Sequence, residues 1–181
     1  MMNLPNFLSI IRILLIPILV FALFKWSTGI FLALLLVTGL TDFFDGYLAR
    51  KLKKETPNGA MLDILADRLL IITLFIALAI KLDLKLILIF FILFRDIIAV
   101  IGQILLFLRY KFTERAVIRP TLLGKFTTLI QIITIGLLAI GIGHVYLINI
   151  TIWLSLITGL RYLYIGSRRL LFIAKEKRGA A

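Results

Sequence analysis

The chain has 181 residues, of which 62% are hydrophobic, and a mean hydropathy of +1.11; an ordinary soluble domain is roughly 45–50% apolar. That surplus excludes a disordered chain, a secreted disulfide scaffold and a cytosolic globular enzyme, and predicts an integral membrane protein. There is no cysteine, so disulfides, thiolate metal sites and a thiol nucleophile are excluded as well.

Six apolar stretches follow in order, at 6–24, 30–48, 60–80, 86–108, 122–142 and 146–165. Each approaches the roughly 20 residues that a helix needs to cross the hydrocarbon layer. The pattern predicts an all-α bundle of six transmembrane helices. The first stretch lacks a basic leader and a small-residue cleavage site, so it reads as a retained helix rather than a signal peptide. No internal repeat, low-complexity tract or linker interrupts the chain, and residues 1–181 read as one domain. Glycines 136, 141 and 143 are expected to allow close helix packing.

Lys and Arg outnumber Asp and Glu by 21 to 9, a formal charge of +12. They gather on alternate connections: Arg50, Lys51, Lys53 and Lys54 after the second stretch, Arg109, Lys111, Arg115 and Arg119 after the fourth, and Arg168, Arg169, Lys175, Lys177 and Arg178 in the tail. The opposite connections hold Lys25, Lys81 and Lys85. Thirteen against three places both termini in the cytoplasm. In such positions basic residues orient helices and attract anionic head groups, which argues against nucleic acid as the partner.

Five carboxylates, Asp42, Asp45, Asp63, Asp67 and Asp96, fall in or beside the apolar stretches. A carboxylate there is costly unless it is paired, metal-bound or facing water, so each is a functional candidate. Asp42 and Asp45 are three apart, Asp63 and Asp67 four apart, and such spacings share a helix face. The connection from 50 to 59 folds the two helices back so that the pairs can meet. Four converging carboxylates need cations, and hard oxygen ligands favour Mg²⁺, Mn²⁺ or Ca²⁺. A pair of such ions suits phosphoryl chemistry. Gly46 and Gly59 leave room for a ligand at the backbone, and Arg50 can offer its planar fork to a phosphate. The membrane setting points to a lipid diphosphate as substrate.

Written out, the segment is Asp42-x2-Asp45-Gly46-x2-Ala49-Arg50-x8-Gly59-x3-Asp63-x3-Asp67, eight specified residues across 26 positions. It resembles the signature of the CDP-alcohol phosphatidyltransferase family. The opening Asn3-Leu-Pro-Asn6-Phe-Leu-Ser-Ile-Ile-Arg12 and the later Gly124-Lys125-x2-Thr128-x2-Gln131 are similar to the bacterial phosphatidylglycerophosphate synthases of that family. The resemblance implies a six-helix enzyme of the inner (cytoplasmic) membrane, a homodimer, with its site open to the cytoplasm. It implies two divalent ions, Mg²⁺ or Mn²⁺, held by Asp42, Asp45, Asp63 and Asp67, with Asp67 also the general base. It implies CDP-diacylglycerol bound by Asp42, Asp45, Gly46, Ala49, Arg50 and Gly59, and transfer of phosphatidyl to glycerol 3-phosphate with release of CMP.

For the acceptor phosphate, Arg95, Arg119 and Lys125 are the candidates. These synthases often carry a second Arg where this chain has Gln103. Arg95-Asp96 and Arg119-Pro120-Thr121 resemble the cardiolipin synthases of the same family equally well, and those use phosphatidylglycerol as acceptor. Neighbours on a helix point about 100° apart, so Arg95 can face the site while Asp96 pairs elsewhere. Arg68 reads as a structural or head-group partner. A divalent-cation transporter is the alternative from a different class, although inverted repeats and broken midplane helices are not seen.

Overall fold

A computed structural model of the chain describes residues 4–52, 57–110, 121–142 and 144–178. They form six helices: α1 (Leu4–Lys25), α2 (Thr28–Leu52), α3 (Pro57–Leu82), α4 (Leu86–Tyr110), α5 (Leu122–Ala139) and α6 (His144–Arg178). No strand occurs among the described residues. A helix covers each of the six apolar stretches, and the differences lie at the helix ends. The basic segment after Ile165 continues α6 to Arg178, because Leu, Ala, Lys, Glu and Arg are good helix formers even where the apolar run has stopped. Arg50 and Lys51 likewise belong to α2 rather than to a loop.

α5 is shorter than expected, and its termini explain why. Thr121 starts it, the side-chain hydroxyl accepting from the Gly124 backbone N–H at 3.1 Å, which satisfies one orphan donor of the first turn. At the other end Gly141 adopts φ +81°. The N–H of Gly141 donates to Leu138 O and that of Ile142 to Leu137 O, a Schellman closure that needs the left-handed conformation glycine tolerates. Nothing approaches the place where a Gly141 Cβ would sit. Gly141 is therefore a helix stop rather than a packing contact; Gly136 does pack, against Leu32, and Gly143 lies outside the described residues. α3 ends in the same way, with Asp83 at φ +51° and Leu84 N–H donating to Ala79 O.

α1 packs on α3 and α2, α4 on α6 and α3, and α5 on α6 and α3. The two halves of the bundle differ in chemistry. One half is apolar: Leu19 and Leu23 of α1, Phe31 of α2, Leu74, Phe75 and Leu78 of α3, Ile92 of α4 and Leu138 of α5 are all buried. Lys81 closes that end, its Nζ donating to Leu23 O in the last turn of α1 at 2.6 Å. The other half buries polar side chains, among them Arg12, Arg68, Arg95, Asp96, Thr127 and Gln131.

The outer surface inverts the soluble pattern. Leu36, Leu86, Leu122, Trp153 and many other large apolar side chains are exposed, a coat that suits lipid rather than water. Among the described residues, three segments are long and apolar enough to cross a membrane, Leu86–Leu106, Leu122–Ala139 and Val145–Arg168. Inside, hydroxyls line the α5–α6 seam, with Thr134 Oγ1 2.8 Å from Thr151 Oγ1. Each also lies within bonding distance of its own i−4 carbonyl. A hydroxyl has one proton, so at most one of the two can donate across the seam at a time.

Candidate active site in the polar half of the bundle

Asp63 and Asp67 stand one turn apart on α3 and converge on one partner. Arg12 Nη1, from α1, lies 2.8 Å from Asp63 Oδ1 and 2.6 Å from Asp67 Oδ1. The Arg12 side chain is 4% exposed, whereas the carboxylates are 45% and 31% exposed. The cation is sealed between α1 and α3 while both anions keep an open side. Arg12 was visible in the sequence as a lone charge inside the apolar Ile10-Ile11-Arg12-Ile13-Leu14 run's surroundings, yet its partners lie 51 and 55 residues away.

 

On the next position of the same helix, Arg68 turns the other way. Its Nη1 donates to Asp96 Oδ1 on α4 at 2.8 Å and to Thr128 Oγ1 on α5 at 3.3 Å. Asp96 also receives Arg95 Nη2 at 2.5 Å and Gln131 Nε2 at 2.7 Å. Arg95 itself is fully buried; its Nη1 donates to Gly124 O at 2.6 Å and its Nη2 to Gln131 Oε1 at 2.8 Å. Two guanidinium groups thus share one carboxylate, leaving a surplus of one positive charge. Arg68 Nε, Arg95 Nε and the Tyr162 hydroxyl are buried without a hydrogen-bond partner among the described residues.

The expectation that Arg95 and Asp96 diverge is corrected here: the long Arg95 side chain bends back to its neighbour, and both belong to one cluster. Arg68 is a structural partner, as its sequence position suggested. Gly124, Thr128 and Gln131, three residues of the later motif, supply the acceptors around the guanidinium groups. Gln103, in place of a second Arg, is buried.

The remaining candidates are distributed as follows. Lys125 is exposed in the first turn of α5, next to the Gly124 carbonyl that Arg95 holds. Gly59 is buried in the first turn of α3. Asp42, Asp45, Gly46, Ala49 and Arg50 lie along α2, but their side chains are outside the described residues, as is the whole of Arg119. Among the described residues no group of three metal-ligating side chains gathers. The donor set that is described, two carboxylates one turn apart with water-facing sides, fits a hard divalent cation.

Comparison with known proteins bears on the chemistry. The family model for CDP-alcohol phosphatidyltransferase matches residues 2–161. A protein of Aquifex aeolicus named CDP-diacylglycerol--glycerol-3-phosphate 3-phosphatidyltransferase is 40% identical over 152 residues, covering 82% of this chain and 80% of its own. One of the same name from Cereibacter sphaeroides is 35% identical over 151 residues, covering 78% of this chain and 65% of its own. A Schizosaccharomyces pombe protein named as a fusion of CMP-forming cardiolipin synthase and a mitochondrial hydrolase is 33% identical over 150 residues, 75% of this chain and 25% of its own. The match to an enzyme family removes the transporter alternative. With its motif, its all-helical bundle and these relatives taken together, the chain belongs to the CDP-alcohol phosphatidyltransferase family.

Proposed function

We propose that the protein transfers the phosphatidyl group of CDP-diacylglycerol to sn-glycerol 3-phosphate, releasing CMP and forming phosphatidylglycerophosphate. The observation that carries this reading is the 40% identity, over four fifths of both chains, to a relative named for that reaction. The site chemistry supports it. The acceptor hydroxyl oxygen attacks the phosphorus that bears diacylglycerol, the bond from that phosphorus to the CMP oxygen breaks, and CMP leaves with the electron pair. Asp67 takes the hydroxyl proton as general base, a role suited to a carboxylate with an open side. Asp42, Asp45, Asp63 and Asp67 would hold two divalent ions, Mg²⁺ or Mn²⁺, which when bound neutralise diphosphate charge. Gly46, Ala49, Arg50 and Gly59, with Asp42 and Asp45, form the CDP-diacylglycerol pocket in this reading.

Arg95, Lys125 and Arg119 receive the acceptor phosphate. The surplus positive charge of the Arg68–Asp96–Arg95 cluster and the buried Arg95 Nε–H, which has no hydrogen-bond partner among the described residues, support an anionic acceptor there. Residues 1–181 act as one domain in this reading, with all six helices spanning the cytoplasmic membrane, both termini and the site facing the cytoplasm, and two copies forming a homodimer.

The test is CMP release from CDP-diacylglycerol by purified protein in detergent with Mg²⁺, offered glycerol 3-phosphate or phosphatidylglycerol, then repeated with chelator. Release driven by glycerol 3-phosphate and abolished by chelation is the expected result. The likeness to the cardiolipin synthase fusion supplies the second reading: release driven by phosphatidylglycerol alone would keep the reaction type and replace the acceptor.

A further inference from the structure

We propose that a groove on the outer side of α1 and α3 holds one acyl chain of an anionic glycerophospholipid, with Lys25 at its mouth receiving the phosphate. The lipid belongs to the leaflet opposite the candidate site. The proposal rests on the six-span reading above, in which α1 and α3 cross the membrane, and is independent of the acceptor and of the metals.

The groove has a volume of about 460 Å³ and is walled by Ile16, Val20, Phe21 and Phe24 of α1 and by Thr73 of α3, with Lys25 at one end. That volume falls in the range of pockets that hold small molecules. From Ile16 to Lys25, α1 is continuous helix and rises about 13 Å. This is close to half of the roughly 30 Å of hydrocarbon in a bilayer. The groove therefore runs from the membrane surface to near the midplane, the depth of one leaflet, and its walls are hydrocarbon apart from the Thr73 hydroxyl. Phe21 is braced by Trp26, ring edge to ring face, with centroids 5.6 Å apart. An indole favours the interface where a lipid head group begins.

The mouth is cationic. Lys25 is exposed in the last turn of α1, and Lys81 of α3 reaches the same turn, its Nζ donating to Leu23 O at 2.6 Å. An ammonium has three donors, so Lys81 keeps two for a phosphate. Asp83 follows Lys81 closely in the chain but makes no ion pair with either lysine among the described residues. One lysine near a membrane surface favours anionic lipid by about fivefold. A lysine that only snorkels gains this attraction with no chain beneath it; here the charge stands over a groove of leaflet depth, so head group and chain are held together. Arg12 lies thirteen residues back along α1, about 20 Å away, which separates this lipid from any ligand at Asp63 and Asp67.

The experiment reads the fluorescence of Trp26 in full-length Trp153→Phe protein, where it is the single tryptophan. The protein is reconstituted in vesicles of equal parts phosphatidylglycerol and phosphatidylcholine, with one or the other brominated in the upper acyl chain, since bromine quenches indole only near contact. Quenching should report phosphatidylglycerol at Trp26 in about fivefold excess over random mixing. Lys25→Gln should remove most of that excess. Thr73→Phe, which fills the groove without altering charge, should do the same; if it does not fold, Val20→Phe fills the groove from α1 and carries the same expectation. Random quenching in the parent protein, or an excess that survives Lys25→Gln, overturns the proposal. An excess lost in Lys25→Gln but kept once the groove is filled makes Lys25 an ordinary surface cation and overturns it as well. Absence of quenching by either brominated lipid would place Trp26 outside the hydrocarbon and refute the six-span reading itself, a separate and distinguishable failure.

Discussion

Arg68 Nη1 on α3 lies 2.8 Å from Asp96 Oδ1 on α4, with both side chains buried. Asp96 serves Arg95 as well, so its removal takes this carboxylate from two buried guanidinium groups at once. Breaking a buried pair by deleting one partner costs about 3–5 kcal/mol. Asp96→Leu should therefore lower thermal stability in detergent sharply or abolish recovery of monodisperse protein. Unchanged melting would mean that the two cations find other anions.

Asp67→Asn keeps the shape and a hydrogen-bonding oxygen toward Arg12 but removes the proton acceptor. CMP release should fall by about 10²–10⁴, the usual contribution of a general base, while binding of CDP-diacylglycerol largely survives. Near-normal turnover would take the base role away from Asp67.

Gly159 lies where α6 packs closely on α4. A Cβ there would stand 2.7 Å from Phe94 Cδ1 and 3.3 Å from Arg95 Cα. Neither the edge of a ring nor a helix backbone yields easily, so Gly159→Ala should destabilise the bundle by about 1–3 kcal/mol. Because the backbone beside it carries Arg95, activity should fall with stability; thermal melts and CMP release on the same preparation check both.

Two helix stops make an opposed pair. Asp83 adopts the left-handed conformation at the end of α3, and Gly141 does so at the end of α5. Non-glycine residues bear a penalty of about 1–2 kcal/mol there, smaller for Asp. Asp83→Gly should raise the melting temperature slightly and Gly141→Ala should lower it. The same sign for both would refute the conformational account.

How far the sequence foretells this molecule depends on the range of each interaction. The six helices were legible because an uninterrupted apolar run needs no knowledge of its neighbours. Asp63 and Asp67 on one face followed from helix periodicity, since four residues return the chain to the same side. The Arg12 contact did not follow, because it depends on α1 lying beside α3 and spans more than fifty residues. A signal was nevertheless present: the reasoning that singles out a carboxylate in an apolar helix applies equally to a guanidinium. The reach of Arg95 back to Asp96 was hidden for another reason. Backbone direction separates neighbours by about 100°, but a long flexible side chain cancels that separation. The role of Gly141 is hidden because a stop and a packing glycine look alike in sequence and differ only in the hydrogen bonds of the last turn.

α3 is gripped from two directions at once, by Arg12 of α1 at Asp63 and Asp67 and by Asp96 of α4 at Arg68. Consecutive positions 67 and 68 face about 100° apart around the axis, so the grips act as two guy lines on a mast. Rolling the helix to slacken one tautens the other, and only one azimuth satisfies both. If the α1 line is let go, the α4 line still fixes the roll, and the carboxylates keep their bearing.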